Sequence, residues 1–274
     1  MTEAESPAPR KARIVTTRIQ PGPNPTVEKN MQLMADTFDR AAAHKPDLVL
    51  FTENLVDRWV RAPLTESSQT IPGPATRMLS EKARQYHTWV ATSLHERDGE
   101  LLYNTAVLID REGRIAGKYR KSHLTLMEGD NGLTVGRDYP VFQTDFGRVG
   151  LLVCWDIWFP EPARLMRLNG AEVVLLPIAG DGVPGHWDVI SRARAMENGV
   201  FLVAASTGTV SPSRIVDPDG RVLAETADGI AFAEIDLNNE TRVPSLSVGA
   251  GQGEGKSLYI KERRPDTYDG MVAP

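Results

Sequence analysis

Two stretches of this chain are apolar at nearly every position, residues 47–52 (DLVLFT) and 149–154 (VGLLVC). Neither shows the alternation of a strand with one wet face. Runs of this length and composition fit strands covered on both faces, which need helices or a second sheet on each side. Shorter strands are predicted at 13–19, 89–95, 172–178 and 200–206. Helices are predicted from Thr26, with Met31, Met34, Phe38 and Ala42 at helical spacing, and at 75–86, 161–168 and 187–198. Pro46 and Asp47 close the first helix, and Asn169-Gly170 closes the third. The turns Asp98-Gly99 and Glu112-Gly113 set off hairpin strands at 101–109 and 114–119, and Asp217–Gly220 opens a last hairpin. Strand and helix thus alternate, with hairpins between, as in an α/β protein of mixed sheets; two packed sheets also fit the pattern.

Apolar runs recur from residue 14 to residue 236 without a long polar gap, which points to one domain over 13–274. Residues 1–12 are polar and Pro-rich and read as a disordered tail without the apolar core of a secretory signal. The segment from about 238 onward reads as irregular. The net charge of −5 argues against a nucleic-acid or anionic-membrane partner. No apolar stretch reaches the roughly 20 residues of a membrane span. One cysteine among 274 residues excludes an intrachain disulfide and fits a cytoplasmic setting.

Three residues stand out because each follows a predicted strand. Glu53 comes directly after DLVLFT, where a covered strand opens into a loop, the usual place for ligand-facing groups in α/β sheets. Read alone it is more readily a loop carboxylate that caps a turn near Asn54. Lys121 lies in GKYRKSHL among lysines and arginines that read as solvated. Cys154 closes VGLLVC; a free cysteine is often inert packing, but here a Pro-interrupted segment starts a helix just behind it, and a helix N-terminus favours thiolate. Neighbouring strands could gather the three ends. A thiol needs a base to attack well, a carboxylate serves if burial raises its pKa, and a lysine between them would stabilise an oxyanion.

Competing patterns are weaker. The five histidines lack metal-ligand spacing, so no metal is expected. His123 is the candidate partner for a Cys–His pair of the papain type, against a structural role. GAGQGEG at 249–255 is Gly-rich but does not follow a strand, so no nucleotide site is expected. Trp155 and Trp158 flank the cysteine and could shape a pocket.

The ordered segments resemble the nitrilase superfamily, the carbon–nitrogen hydrolases. LLVCWDIWFPEPARLMRLNGAEVVLLP (151–177) is similar to the nucleophile segment of that family, GKYRKSHL (117–124) to its lysine segment and LVLFTEN (48–54) to its glutamate segment. YNTAVLID (103–110), HWDVISRARAMENGVFLVAAS (186–206), VDPDGRVLAE (216–225) and ERRPDTY (262–268) match in order. The resemblance implies a four-layer α-β-β-α sandwich, a homodimer or higher homo-oligomer, and no cofactor. It implies Glu53 as general base and acid, Lys121 as oxyanion partner, Cys154 as nucleophile, the Trp155 N–H in the oxyanion hole and Glu128 as a second glutamate. The expected substrate is a small amide or N-carbamoyl compound, the nucleophile segment being most like that of carbamoyl-amine amidases. Nitrile hydrolysis and a non-catalytic relative are the alternatives. Pocket roles are assigned to Trp158, Asp156, Asp181 and Trp187. The chain departs from the pattern at Thr52, Val135, Trp158, TVSPSR (209–214) and the short AGDGVPG loop (179–185), changes that bear on substrate choice.

Overall fold

The computed structural model describes residues 8–180, 183–208, 211–239, 242–243, 253–254 and 260–272. In chain order the first half holds β1 (Lys11–Arg18), α1 (Val27–Ala42), β2 (Leu48–Leu50), α2 (Leu64–Ser67), α3 (Pro74–Tyr86), β3 (Trp89–Asp98), β4 (Leu101–Ile109), β5 (Ile115–Arg120) and α4 (Leu126–Asp130). The second half holds β6 (Val141–Gln143), β7 (Arg148–Leu151), α5 (Pro160–Leu168), β8 (Val173–Ile178), α6 (His186–Asn198), β9 (Phe201–Ser206), β10 (Ser213–Val216), β11 (Val222–Thr226) and β12 (Gly229–Asp236).

Two six-stranded sheets result, in the orders β12-β1-β2-β3-β4-β5 and β11-β10-β9-β8-β7-β6. Each has three parallel strands, β1-β2-β3 and β7-β8-β9, flanked by antiparallel ones. The parallel strands are the apolar runs of the sequence, and the hairpins supply the flanks.

Period-two alternation divides the apolar side chains between two cores. In β2, Leu48 and Leu50 join the cluster between the sheets, with Ile14, Ala91, Leu151 and Val203, while Val49 points the other way. There it meets Met34 and Phe38 of α1 and Leu79 of α3. Each such fully buried Leu or Phe contributes about 1.5–3 kcal/mol. Helices α5 and α6 cover the second sheet: Met166 lies against Gly150, on the face that β8 and β9 continue with Val174 and Leu202, and Ala195 belongs to the same core. The layers are therefore helix, sheet, sheet, helix, an α-β-β-α sandwich.

Thr26 caps α1 as expected, its Oγ1 accepting from Lys29 N at 3.2 Å. The buried stripe of α1 is Asn30, Met34, Thr37, Phe38 and Ala41, so Met31 and Ala42 lie at its margins. β1 opens at Lys11, inside the tail expected over 1–12, and Arg10 already pairs with Glu172 at 2.7 Å. Two strands are shorter than the apolar runs that announced them. β2 stops at Leu50 and β7 at Leu151, so Glu53 and Cys154 sit beyond the strand ends, on irregular backbone that can turn a side chain toward a ligand.

Candidate active site

The segment after β2 keeps bonding to β3 without being strand: Phe51 N donates to Ala91 O at 2.8 Å and Asn54 N to Ser93 O at 3.1 Å. Glu53 is fixed between these two bonds and is 4% exposed. Behind it the Asn54 amide meets His95 Nε2 at 3.0 Å, and His95 Nδ1 meets Asp57 Oδ2 at 2.6 Å, which pins the turn.

Lys121 comes immediately after β5. Its N–H donates to Asn104 O at 2.9 Å and its carbonyl accepts from Gly136 N at 2.8 Å. The side chain is 1% exposed, unlike its basic neighbours, and Nζ reaches Glu128 Oε1 and Oε2, both at 2.8 Å, and Glu53 Oε1 at 3.3 Å. Glu128 sits in α4, where Thr125 N and Oγ1 donate to its Oε2 at 2.8 and 3.0 Å. That is a capping box, so one carboxylate both closes a helix end and holds the ammonium.

Asn104 of β4 completes the cluster. Its Nδ2 donates to Glu53 Oε1 and to Glu128 Oε1, each at 2.8 Å. Ala179 N, just past β8, donates to Glu53 Oε2 at 2.7 Å. Sequence reading gave neither residue a role. A signal for Asn104 existed: alternation puts 104, 106 and 108 on the inter-sheet face, and Ala106 and Leu108 are apolar. The Ala179 contact is made by backbone and leaves no trace in residue type.

Cys154 opens a short 3-10 turn, Cys154–Trp158, with φ +45°. A non-glycine residue in the left-handed region is strained by about 1–3 kcal/mol and persists only where its surroundings enforce it. Asp156 provides that enforcement. Its carboxylate accepts from Val153 N (3.0 Å), Tyr119 Oη (2.7 Å), Ser122 Oγ (3.0 Å) and His123 N (3.0 Å). It ties the lysine segment to the cysteine turn. Arg194 of α6 braces the far end, donating to the carbonyls of Ile157 at 2.9 Å and Trp158 at 3.1 Å.

The electrostatics follow from this packing. Burial opposes charge on Glu53, but Lys121, the Cys154 hydrogen bond, Asn104 and Arg58 outweigh it and lower its pKa. Burial also opposes charge on Lys121, and Glu53, Cys154 and Glu128 reverse that, raising its pKa. Cys154 is raised, first by burial and then by the charge of Glu53, with Lys121 and the Ala179 amide opposing. The resting set is carboxylate, ammonium and neutral thiol. This runs against the expectation of a helix-stabilised thiolate and of a glutamate tuned upward: Lys121 and the hydrogen bonds around Glu53 favour its charged form, while burial first and then the adjacent carboxylate favour the protonated sulfur.

The structure thus brings Glu53, Lys121, Glu128 and Cys154 into one electrostatic unit. Trp155 is 39% exposed at the side chain. Its N–H lies in the first turn of the 3-10 segment, where amides have no intrahelical acceptor. Trp158 is half-buried and meets His186 edge-on at 5.8 Å. Two pocket expectations are overturned. Asp156 is fully buried and its oxygens are occupied by the donors above, so it braces the turn rather than meeting a ligand. Trp187 is 1% exposed, donates to Pro212 O at 2.9 Å and packs under the Arg214 guanidinium, a core role. Asp181 lies outside the described residues. His123 Nδ1 lies 3.0 Å from the acceptor Asp156 Oδ1, and the ring stacks on Phe159 with ring centres 4.0 Å apart.

The family model described as carbon-nitrogen hydrolase matches residues 11–244. The chain belongs to the carbon-nitrogen hydrolase family. This hydrolase is 29% identical over 266 residues to a probable nitrilase of Schizosaccharomyces pombe, covering 90% of this chain and 94% of that one. It is 32% identical over 194 residues to the omega-amidase NIT2 of Homo sapiens, covering 63% and 70%. Among solved structures, an amidase from Nesterenkonia sp. superposes with a TM-score of 0.77 at 26% identity, covering 95% of this chain and 96% of that one. This carbon-nitrogen hydrolase is an amidase-like member of the nitrilase superfamily.

Proposed function

We propose that the enzyme cleaves its amide through a thioester on Cys154, with Glu53 carrying the protons and Lys121 and the Trp155 N–H receiving the oxyanion. The observation that carries this reading is one ammonium, Lys121, held by Glu53 and Glu128 and within electrostatic reach of the Cys154 thiol.

Glu53 takes the thiol proton as sulfur attacks the carbonyl carbon, and the carbonyl electrons move to oxygen. The ammonium and the amide N–H stabilise that oxygen without moving, which is where preorganised donors act best. As the oxyanion collapses, the C–N bond breaks and Glu53 returns its proton to nitrogen, releasing ammonia or amine. Water then attacks the thioester, giving a proton to Glu53. Collapse of the second intermediate expels sulfur, which regains that proton, and frees the carboxylic acid. Glu128 keeps Lys121 charged and in place throughout.

The Cys–His alternative is disfavoured because Glu53 and Lys121, not His123, are the charged groups that act most on the Cys154 thiol. Apolar Leu165, Leu168 and Met196, exposed on α5 and α6, support a homodimer. Among the described residues no helix is long and apolar enough to cross a membrane, and the lone free cysteine fits a reducing, cytoplasmic setting.

The test is ammonia release from primary amides, N-carbamoyl amines and nitriles by the parent, Glu53→Gln and His123→Ala proteins. Amide turnover lost in the first variant and kept in the second is expected. The opposite pattern would transfer the base to His123.

A further inference from the structure

β8 and β9 end side by side at the paired residues Ile178 and Ser206. Just beyond them the two main chains touch through glycines. Gly180 has φ +107°, a conformation that residues with a side chain rarely adopt. A Cβ on Gly180 would stand 2.4 Å from Gly208 Cα, and a Cβ on Gly208 would stand 2.7 Å from Gly180 Cα. Each clash is with backbone, so no turning of a side chain relieves it. The chains pass this closely because both residues are glycine.

The contact closes a circuit between the two sheets. At the end of β1, Arg18 Nη2 donates to Gly208 O at 2.8 Å, and Gln20 Nε2 donates to Thr207 O. Thr207 in turn holds the end of β8: its N–H donates to Ile178 O at 3.3 Å and its Oγ1 to Ala179 O at 3.2 Å. Ile178 O and Ala179 N belong to one peptide, so the bond from Thr207 also aims the N–H of Ala179. That N–H returns to the first sheet and donates to Glu53 Oε2 at 2.7 Å.

The two oxygens of Glu53 are therefore not equivalent. Oε1 accepts from Lys121 Nζ at 3.3 Å and from Asn104 Nδ2 at 2.8 Å, which occupies both of its lone pairs. Among the described residues Oε2 accepts from a single N–H, that of Ala179, and has a lone pair left for a proton. We propose that Gly180 and Gly208 are positioning residues for the base. Their contact sets the Ala179 N–H on Oε2, which fixes the plane of the carboxylate and makes Oε2 the oxygen that takes the thiol proton and hands it to the leaving nitrogen. The inference rests on the amidase reading above, in which Glu53 carries the protons. An N–H donated to a carboxylate favours its ionised form, so the same amide keeps the base ready to accept.

The test follows ammonia release against pH in Gly180→Ala, Gly208→Ala and Ala179→Pro, on the substrate that the parent turns over fastest in the screen above. The first two variants push the main chains apart from opposite sides, and the third deletes the N–H. In each folded variant kcat is expected to fall about ten- to hundredfold, the size of one charge-assisted bond. KM changes little, because the amide does not touch substrate, and the acid limb of kcat/KM moves up, because the carboxylate has lost a donor. Gly22→Ala, whose added methyl meets nothing within 4 Å, keeps the parent kcat and limb. An unchanged rate in a folded variant, or a lower rate with an unmoved limb, would overturn the proposal and leave the glycines as packing. Should no variant fold, the Ala179 amide proton in isotope-labelled protein decides: it is expected at lower field in the parent than in Glu53→Gln, and the same position in both would overturn the proposal. A folded parent that releases ammonia from no compound in the screen would overturn the amidase reading, and the proton-carrying role of Oε2 with it.

Discussion

Glu128 grips Lys121 with both carboxylate oxygens, each 2.8 Å from Nζ. The pair is buried, and Thr125 ties the same carboxylate to the start of α4. Removing one member of a buried pair leaves the other uncompensated, a loss of about 3–5 kcal/mol. Glu128→Gln keeps the volume but gives up the charge. We expect kcat to fall by about two orders of magnitude, comparable to loss of an oxyanion donor, with a smaller change in KM. Steady-state kinetics on any accepted amide checks this; an unchanged kcat would free Lys121 from dependence on Glu128.

Glu53 has a folded pKa below its ordinary value, because Lys121 and the hydrogen bonds from Cys154 and Asn104 overcome burial. A depressed carboxylate contributes stability above its unfolded pKa, and that contribution is lost as pH falls through the folded value. The acid limb of kcat/KM is therefore expected below the usual glutamate range near 4.3. A limb near pH 6 would mean a base tuned upward instead.

Cys154 is shifted the other way, by burial and by the charge of Glu53. Iodoacetamide alkylation of the resting enzyme should lack the titration step that free thiols show near about 8.5. In Glu53→Gln the neighbouring negative charge is gone, and the step should move down toward that range. Rate-versus-pH curves for the two proteins make the comparison.

Asn104 donates from one nitrogen to both Glu53 and Glu128 at 2.8 Å and is fully buried. Asn104→Leu takes a donor from each carboxylate. We expect the acid limb of kcat/KM to move upward and kcat to drop about tenfold or more. Asn104→Asp, which sets a third carboxylate beside two, should be more damaging. A mutant with a reduced rate but an unshifted limb would assign Asn104 to packing alone.

Asp156 carries the strained cysteine turn on its four donors. Asp156→Ala strands them and releases Cys154 from φ +45°. The expected cost is about 3–5 kcal/mol, read as a fall in thermal midpoint of roughly 6–20 °C at about 2–4 °C per kcal/mol, together with loss of turnover. A thermal scan with an activity assay on the same sample measures both.

Much of this protein is legible in its residues alone. The covered strands, the hairpins and the cap at Thr26 follow from local pattern, since burial on both faces, turn geometry and capping are settled by residue type and near neighbours. The order of the Glu53, Lys121 and Cys154 segments likewise marks out the chemistry. What the sequence could not reveal depends on contacts between distant segments. Asp156 and Trp187 read as pocket residues until folding brings Tyr119, Ser122 and His123 around the first and closes Pro212 and Arg214 over the second. The protonation of the site is the clearest case: the charge on Glu53 and the proton on Cys154 depend on how near an ammonium and a carboxylate stand, and that separation is set only when the two sheets pack.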